Sequence, residues 1–112
     1  MSYSTNNEVD LAANATTANL LSGDINEFVT VPSQVNLFAV ASVAGINVTM
    51  LADSDVAVDD QEILAIGTSL DKSQHLVDSF LVAAGTRLTL RLRNTTVTAT
   101  IDILTGIEVN PL

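Results

Sequence analysis

The sequence predicts an all-β protein that folds as a single antiparallel β-sandwich of seven to eight strands, jelly-roll-like or Ig-like, with at most one short helix. Residues 86–93 alternate strictly between polar and aliphatic side chains, and residues 97–103 alternate again. Hydrophobic residues make up 47% of the chain and aromatic residues only 4%, so the core must be built from Val, Leu, Ile and Ala, which suits sheets. Short apolar stretches recur about every eight to twelve residues with turn signals between them, as in sandwiches and barrels.

The two alternating stretches carry the strongest local signal in the chain. Successive side chains of a strand point to opposite faces, so Leu88, Leu90 and Leu92 share one face. A short polar segment separates this stretch from residues 97–103. The pattern predicts a β-hairpin over residues 86–103, with one buried and one solvated face.

Further extended stretches are predicted between turn signals, at residues 26–31, 34–43, 46–50, 56–58 and 63–66. The second of these is apolar on both faces after Asn36, which fits a central strand or one covered on both sides. Residues 70–77 predict a short helical or irregular segment that leads into extended chain. Alternation is interrupted at Thr105-Gly106, which predicts a β-bulge there.

A chain of 112 residues without repeats or linkers predicts one domain. We assign residues 11–112 to the sandwich and residues 1–10, rich in Ser, Thr and Asn, to a flexible N-terminal arm. The alternative is an arm that orders only against a partner. There is no cysteine, no pattern typical of a secretory signal and no stretch long enough for a transmembrane helix. We therefore expect a protein made in a cytoplasm that is not embedded in a membrane, with export by another route as the alternative.

Charge argues against a nucleic-acid partner, because a formal net charge of −9 repels phosphate backbones. Three of the four cations, Arg87, Arg91 and Arg93, lie on the predicted strand at alternate or near-alternate positions. Two interpretations remain open. The arginines form a solvated face that discourages edge pairing, or they form a basic stripe that meets carboxylates of a neighbouring subunit.

An acidic cluster surrounds the short stretch 56–58 and consists of Asp53, Asp55, Asp59, Asp60 and Glu62. Carboxylates at this density can bind calcium. The EF-hand spacing fails, because Ala57 stands where a third ligand belongs and Val58 where the sharp turn needs glycine. A solvated loop pair is the more common explanation, and we predict no metal and no cofactor.

His75 is the only histidine, with Asp71 and Asp78 nearby in the sequence. A small hydrolase or isomerase that uses His75 with either aspartate is one hypothesis. No nucleophile elbow surrounds the neighbouring serines, and zinc needs more histidine or cysteine ligands than the chain has. A surface histidine is the simpler interpretation, and we predict that the protein is not an enzyme.

Three segments resemble the turn and strand patterns of small bacteriophage virion proteins, of the capsid-decoration (cement) type or the single β-sandwich capsid type. They are Asn-Leu-Leu-Ser-Gly-Asp at 19–24 leading to Glu-Phe-Val at 27–29, Ser-Val-Ala-Gly-Ile-Asn-Val-Thr at 42–49, and Ala-Gly-Thr-Arg-Leu-Thr-Leu-Arg-Leu-Arg-Asn-Thr at 84–95. The resemblance spans residues 19–109 and consists of turns and strands without a diagnostic motif.

The resemblance implies a structural virion protein that binds the major capsid protein of an icosahedral phage shell from outside and stiffens it as a homo-oligomer. It would be assembled in the host cytoplasm and sit on the outer capsid surface. The family supplies no catalytic residues. The candidate inter-subunit or capsid contacts are Arg87, Arg91, Arg93 and Tyr3. The alternative is a carbohydrate- or receptor-binding module of a fibre or adhesin, against which the scarcity of aromatics argues.

Overall fold

A computed structural model describes residues 2–9, 11–97 and 101–112, and these residues contain seven β-strands and no helix. The strands are β1 (Ser2–Val9), β2 (Ser33–Ala41), β3 (Ile46–Ala52), β4 (Asp55–Glu62), β5 (Leu76–Val82), β6 (Leu88–Asn94) and β7 (Asp102–Pro111). One sheet has the order β1-β7-β2-β5 and the other has the order β4-β3-β6, and every pairing is antiparallel. The predicted all-β sandwich is confirmed.

The core lies between the apolar faces of the two sheets and follows the predicted alternation. Its fully buried side chains include Val35 and Leu37 of β2, Ile46, Val48 and Met50 of β3, Leu88, Leu90 and Leu92 of β6, and Ile103 and Ile107 of β7. Burying one such side chain stabilises the fold by about 1.5–3 kcal/mol. The outer face of β2 is buried as well, with Phe38 5% and Val40 0% exposed, as its two apolar faces predicted.

Residues 15–20 run antiparallel along the outer edge of β6 and satisfy its backbone. The N–H groups of Thr17 and Leu20 donate to the carbonyls of Leu92 and Leu90, and the Asn94 N–H donates to the Ala15 carbonyl. Where no backbone group of residues 15–20 reaches β6, the Asn19 side chain forms the hydrogen bonds instead. Its Oδ1 accepts from the Leu90 N–H at 3.0 Å and its Nδ2 donates to the Leu88 carbonyl at 3.3 Å.

Counting residues 15–20 as a strand gives eight strands with a simple pairing rule. The first pairs with the eighth, the second with the seventh, the third with the sixth and the fourth with the fifth. This is one long hairpin, with its tip between β3 and β4, rolled into two sheets. It is the pairing pattern of a jelly roll, so of the two sandwich topologies considered the jelly-roll-like one is observed.

The four sheet edges differ in what they present to solvent. The β6 edge is covered by residues 15–20. β4 carries exposed acids along its length, and β1 is almost entirely polar. β5 exposes leucines, with Leu76 54% and Leu81 69% exposed.

The predicted hairpin over residues 86–103 is wrong, because β6 and β7 belong to different sheets. The alternation identified the buried face of β6 correctly, since Leu88, Leu90 and Leu92 are at most 1% exposed. Alternation reports which face is apolar and carries no information on the partner strand. The connection between these strands crosses from one sheet to the other, and residues 98–100 of the predicted second strand lie outside the described residues.

The predicted bulge at Thr105-Gly106 is also wrong, because β7 keeps an unbroken register with both β1 and β2. Gly106 has another explanation. A Cβ at this position would overlap with the Tyr3 hydroxyl and would lie 2.9 Å from Leu70 Cδ2. The glycine therefore gives room for the side chains that cover the outer face of β7.

The structure also differs from the sequence predictions elsewhere. The N-terminal arm expected at residues 1–10 is β1 over Ser2–Val9, because its backbone pairs with β7 along its length. The expected strand at 26–31 is a loop with one bridge, Phe28 to Arg87. Of the two alternatives predicted for residues 70–77, the irregular one is observed, since a turn closed by hydrogen bonds to the Asp71 carbonyl runs into β5. No helix in the described part of the chain is long and apolar enough to cross a membrane.

Gly106→Ala should destabilise the protein by about 1 kcal/mol, because the added methyl group must push aside the ends of the Tyr3 and Leu70 side chains. Urea denaturation followed by circular dichroism measures the change. Gly67→Ala is the matched control, since its Cβ would meet only Val40 Cγ2 at an ordinary 3.5 Å. Equal stability of both variants would contradict the packing role of Gly106.

Candidate functional site

Arg87 of the predicted stripe forms its ion pair within the chain. Its Nε donates to Glu27 Oε2 at 2.9 Å, and its backbone N–H donates to Asp53 Oδ1 at 2.9 Å. Glu27 Oε1 also accepts from the Gly23 N–H. The Gly23 amide and then the Arg87 guanidinium hold the pKa of Glu27 below its ordinary value. Arg87 thus connects the loop that contains Glu27 with the turn that contains Asp53, at the end of the sandwich where β6 begins.

Arg93 is also paired within the chain, on the outer face of the three-stranded sheet. Its Nε donates to Asp60 Oδ1 at 3.0 Å, and a second guanidinium nitrogen contacts Oδ2, so the pair is bidentate. The Arg93 hydrogen bond is the main reason that the pKa of Asp60 is lowered, with a smaller contribution from Asn47. The two side chains remain 43% and 40% exposed, so the pair sits in solvent.

Arg91 differs from its two neighbours. It is exposed on the same outer face, opposite Thr49 of β3, and makes no ion pair with any described residue. The predicted stripe is therefore divided in this structure. Arg87 and Arg93 bind carboxylates of their own chain, and Arg91 offers a guanidinium to solvent.

Tyr3 lies on the outer face of the other sheet, far from the arginines in strand order. The Lys72 ammonium sits 3.9 Å from the centre of the Tyr3 ring, a cation–π contact. Lys72 Nζ also pairs with Glu108 Oε2 at 3.0 Å. Tyr3 of β1 is thus part of an intrachain cluster with Lys72, which lies in the turn before β5, and Glu108 of β7.

The acidic cluster does not converge into a metal site. Asp53 accepts the Arg87 amide and Asp60 binds Arg93, so two of its carboxylates are engaged elsewhere. Among residues 2–9, 11–97 and 101–112, no three acidic or histidine side chains come together as a group that could hold a metal ion. The remaining acids of the cluster line the exposed edge strand β4.

His75 is tied to the turn that precedes β5. Its Nδ1 accepts the backbone N–H of Asp71 at 2.9 Å, while the Asp71 carboxylate accepts from Ser73. The Ser73 hydrogen bonds lower the pKa of Asp71, with a smaller coulombic contribution from His75. Asp78 Oδ1 accepts from the Ser79 N–H. The His75 ring is thus hydrogen-bonded to the backbone of the turn, and each aspartate has a local partner.

A surface that the sequence analysis missed lies where β1 begins and β7 ends. Ile25, Phe28 and Val31 are 80%, 56% and 44% exposed, and they line a cleft of about 220 Å³. We call these three residues the apolar end. The only sequence signal was their spacing of three, which does not fit the alternation expected of a strand at 26–31.

A second exposed apolar group lies beside the N-terminal end of β5. Leu64, Ile66 and Leu76 are 80%, 62% and 54% exposed. Leu64 and Leu76 line a cleft of about 150 Å³ together with His75 and Glu62.

Comparison with known proteins finds no family model that matches the chain and no curated protein that matches it. The residues and their geometry therefore carry the functional argument.

Glu108→Gln should change how stability depends on pH. Hydrogen bonds from Asn110, then Lys72 and Asn36, hold the pKa of Glu108 below its ordinary value. A carboxyl with a lowered folded-state pKa stabilises the fold above its unfolded pKa, about 4.3, and loses this contribution as the pH falls through the folded value. The wild-type protein should therefore exceed the variant in urea midpoint at pH 7, and the gap should close below about pH 4.

Glu8→Gln is the control for this comparison, because Glu8 makes no ion pair with any described residue. A wild-type advantage over Glu108→Gln that stays constant from pH 7 to pH 3 would show that the ionised Glu108 contributes nothing specific.

Proposed function

We propose that the chain is a structural virion protein, a capsid decoration (cement) protein that binds the outside of an icosahedral phage shell as a homo-oligomer and stabilises it. The observation that carries the proposal is the apolar end. It stands on a small jelly roll, an architecture that recurs in viral capsid and lectin domains. The turn and strand resemblance of residues 19–109 points in the same direction.

The apolar end has the chemistry of a contact with another protein. Contiguous exposed apolar groups mark interaction sites more often than single exposed side chains do. Ile25 and Phe28 lie on a loop whose end is fixed, because Val29 is buried and its N–H donates to the Thr86 carbonyl at 2.9 Å. A rigidly held apolar contact loses little conformational entropy on binding. The major capsid protein is the partner to which the proposal assigns this contact.

Charge favours a homo-oligomer whose contacts pair Arg91 with carboxylates of a neighbouring copy. Copies that each carry a net charge of −9 repel one another in solution. Arg91 provides an attractive contact, because it has no ion-pair partner among the described residues while Asp55 and Asp59 are exposed on β4. An Arg91-to-carboxylate pair between neighbouring copies offsets part of the repulsion and can hold an oligomer together in solution.

Cosedimentation with shells assembled from the major capsid protein of the same genome tests the proposal. The wild-type protein should pellet with the shells, and Ile25→Ser should bind at least tenfold more weakly, because it removes apolar area from the contact. Leu64→Ser is the matched control, since Leu64 is also 80% exposed but lies outside the apolar end.

Three results would contradict the proposal: no binding of wild-type protein to the shells, equal loss of binding in both variants, or a genome that encodes no shell protein.

Light scattering tests the role of Arg91 in the homo-oligomer. The wild-type protein should form a discrete oligomer whose mass falls between 50 mM and 500 mM salt, because exposed ion pairs are screened. Arg91→Ala should remain smaller at both salts. A control is Arg93→Ala, which breaks a pair within the chain. If Arg93→Ala and Arg91→Ala behave alike, Arg91 has no special role between subunits.

A carbohydrate- or receptor-binding module is the second candidate. Phe28 favours it, because an aromatic ring exposed beside a cleft of about 220 Å³ can stack on a sugar. Binding on a glycan array that disappears in Phe28→Ala, together with no binding to shells, would select this candidate over the first.

A further inference from the structure

Two buried polar atoms face each other across the β1–β7 ladder without a hydrogen-bond partner. Asn6 and Thr105 are opposite residues in the register of these strands. Asn6 Oδ1 and Thr105 Oγ1 are both buried, and neither is hydrogen-bonded to any described residue. Thr105 is only 1% exposed. Buried polar groups in native proteins almost always have a partner in the protein or in ordered water, so this pair requires an explanation.

The same two residues line a small cavity between the sheets. Its volume is about 40 Å³, and its wall contains the polar residues Ser4, Asn6, Asp24 and Thr105 together with the apolar Leu20 and Leu90. One water molecule needs about 10–15 Å³ of free volume for its centre. The cavity is therefore large enough for one water molecule and at most about three.

Two other polar residues of the wall, Ser4 and Asp24, already take part in hydrogen bonds. Ser4 Oγ donates to Asp24 Oδ1 at 2.6 Å and accepts from Asn26 Nδ2 at 2.7 Å. Asp24 Oδ1 also accepts the Asn26 backbone N–H at 2.9 Å. Among the buried side-chain atoms of the described residues, only Asn6 Oδ1, which accepts, and Thr105 Oγ1, which can donate and accept, lack a partner.

We propose that this cavity is an internal water site and that one ordered water molecule bridges Asn6 of β1 to Thr105 of β7. The water donates one hydrogen to Asn6 Oδ1. It either donates its other hydrogen to Thr105 Oγ1 or accepts the hydrogen of the Thr105 hydroxyl. A cation fits the residues less well, because Asn6 and Thr105 offer neutral oxygens and Asp24 Oδ1 already accepts two hydrogen bonds.

The water would help to hold β1 in its register. None of the described residues of β1 belongs to the apolar core, and its inward side chains Ser4 and Asn6 are polar. A strand that lacks apolar contacts on its inner face depends on its ladder and on polar contacts, which include the Ser4–Asp24 hydrogen bond.

Oxygen-17 magnetic relaxation dispersion on the full chain tests the site, because it counts water molecules that stay bound for longer than the protein tumbles. Thr105→Val should lose at least one such molecule relative to the wild-type protein, and Thr105→Ser, which keeps the hydroxyl, should lose none. Asn6→Leu is a second variant that should also lose this water molecule, since it removes the acceptor and fills the cavity from the side of β1. It keeps the test decisive if Thr105→Val does not fold.

Unchanged dispersion in both folded variants would overturn the proposal. A crystal structure adds a positional check. Density at about 2.7–3.2 Å from both oxygens supports water. Density at the shorter distances of a metal ion, with a melting temperature that rises specifically with sodium over tetramethylammonium, would overturn it in favour of a cation.

Discussion

The ladder between β2 and β7 is the interaction on which the rest of the structure depends. Ser33 pairs with Pro111 at one end and Ala41 with Ile103 at the other, so residues far apart in the sequence form the centre of the larger sheet. β1 and β5 attach to its two sides, and its inner face supplies one wall of the core. Because this pairing closes the chain between residues 41 and 103, it carries a large loop-closure entropy cost.

Side-chain alternation predicted burial well and strand partners poorly. Leu88, Leu90 and Leu92 are buried as expected, because the period of a strand alone decides which face its side chains occupy. The partner of β6 could not be read in this way. It is β3 on one side and residues 15–20 on the other, and the latter pair partly through the Asn19 side chain. A polar segment that completes a sheet edge carries no hydrophobic period, so the sequence offered no sign of it.

For the candidate contact residues, too, the sequence predicted positions on a strand but not the partners of the side chains. The positions of the arginines on one strand face were predictable, yet their partners were not, because Glu27 is 60 residues from Arg87 and Asp60 is 33 residues from Arg93. Only the three-dimensional structure separates Arg91, which has no ion-pair partner among the described residues, from its two neighbours. The apolar end was hidden for a related reason. Ile25, Phe28 and Val31 lie in an irregular loop, where exposure depends on how the loop is anchored and not on a repeat.

The unequal sheet edges limit how copies can join edge to edge. Exposed carboxylates on β4 repel a second β4, and residues 15–20 already occupy the hydrogen-bonding groups of β6. The two edges of the larger sheet, β1 and β5, keep one side unpaired in the strand order, and β5 adds the exposed Leu76 and Leu81. Strand addition between copies is therefore directed to the larger sheet, where a β5-to-β5 contact would join two copies as a closed pair.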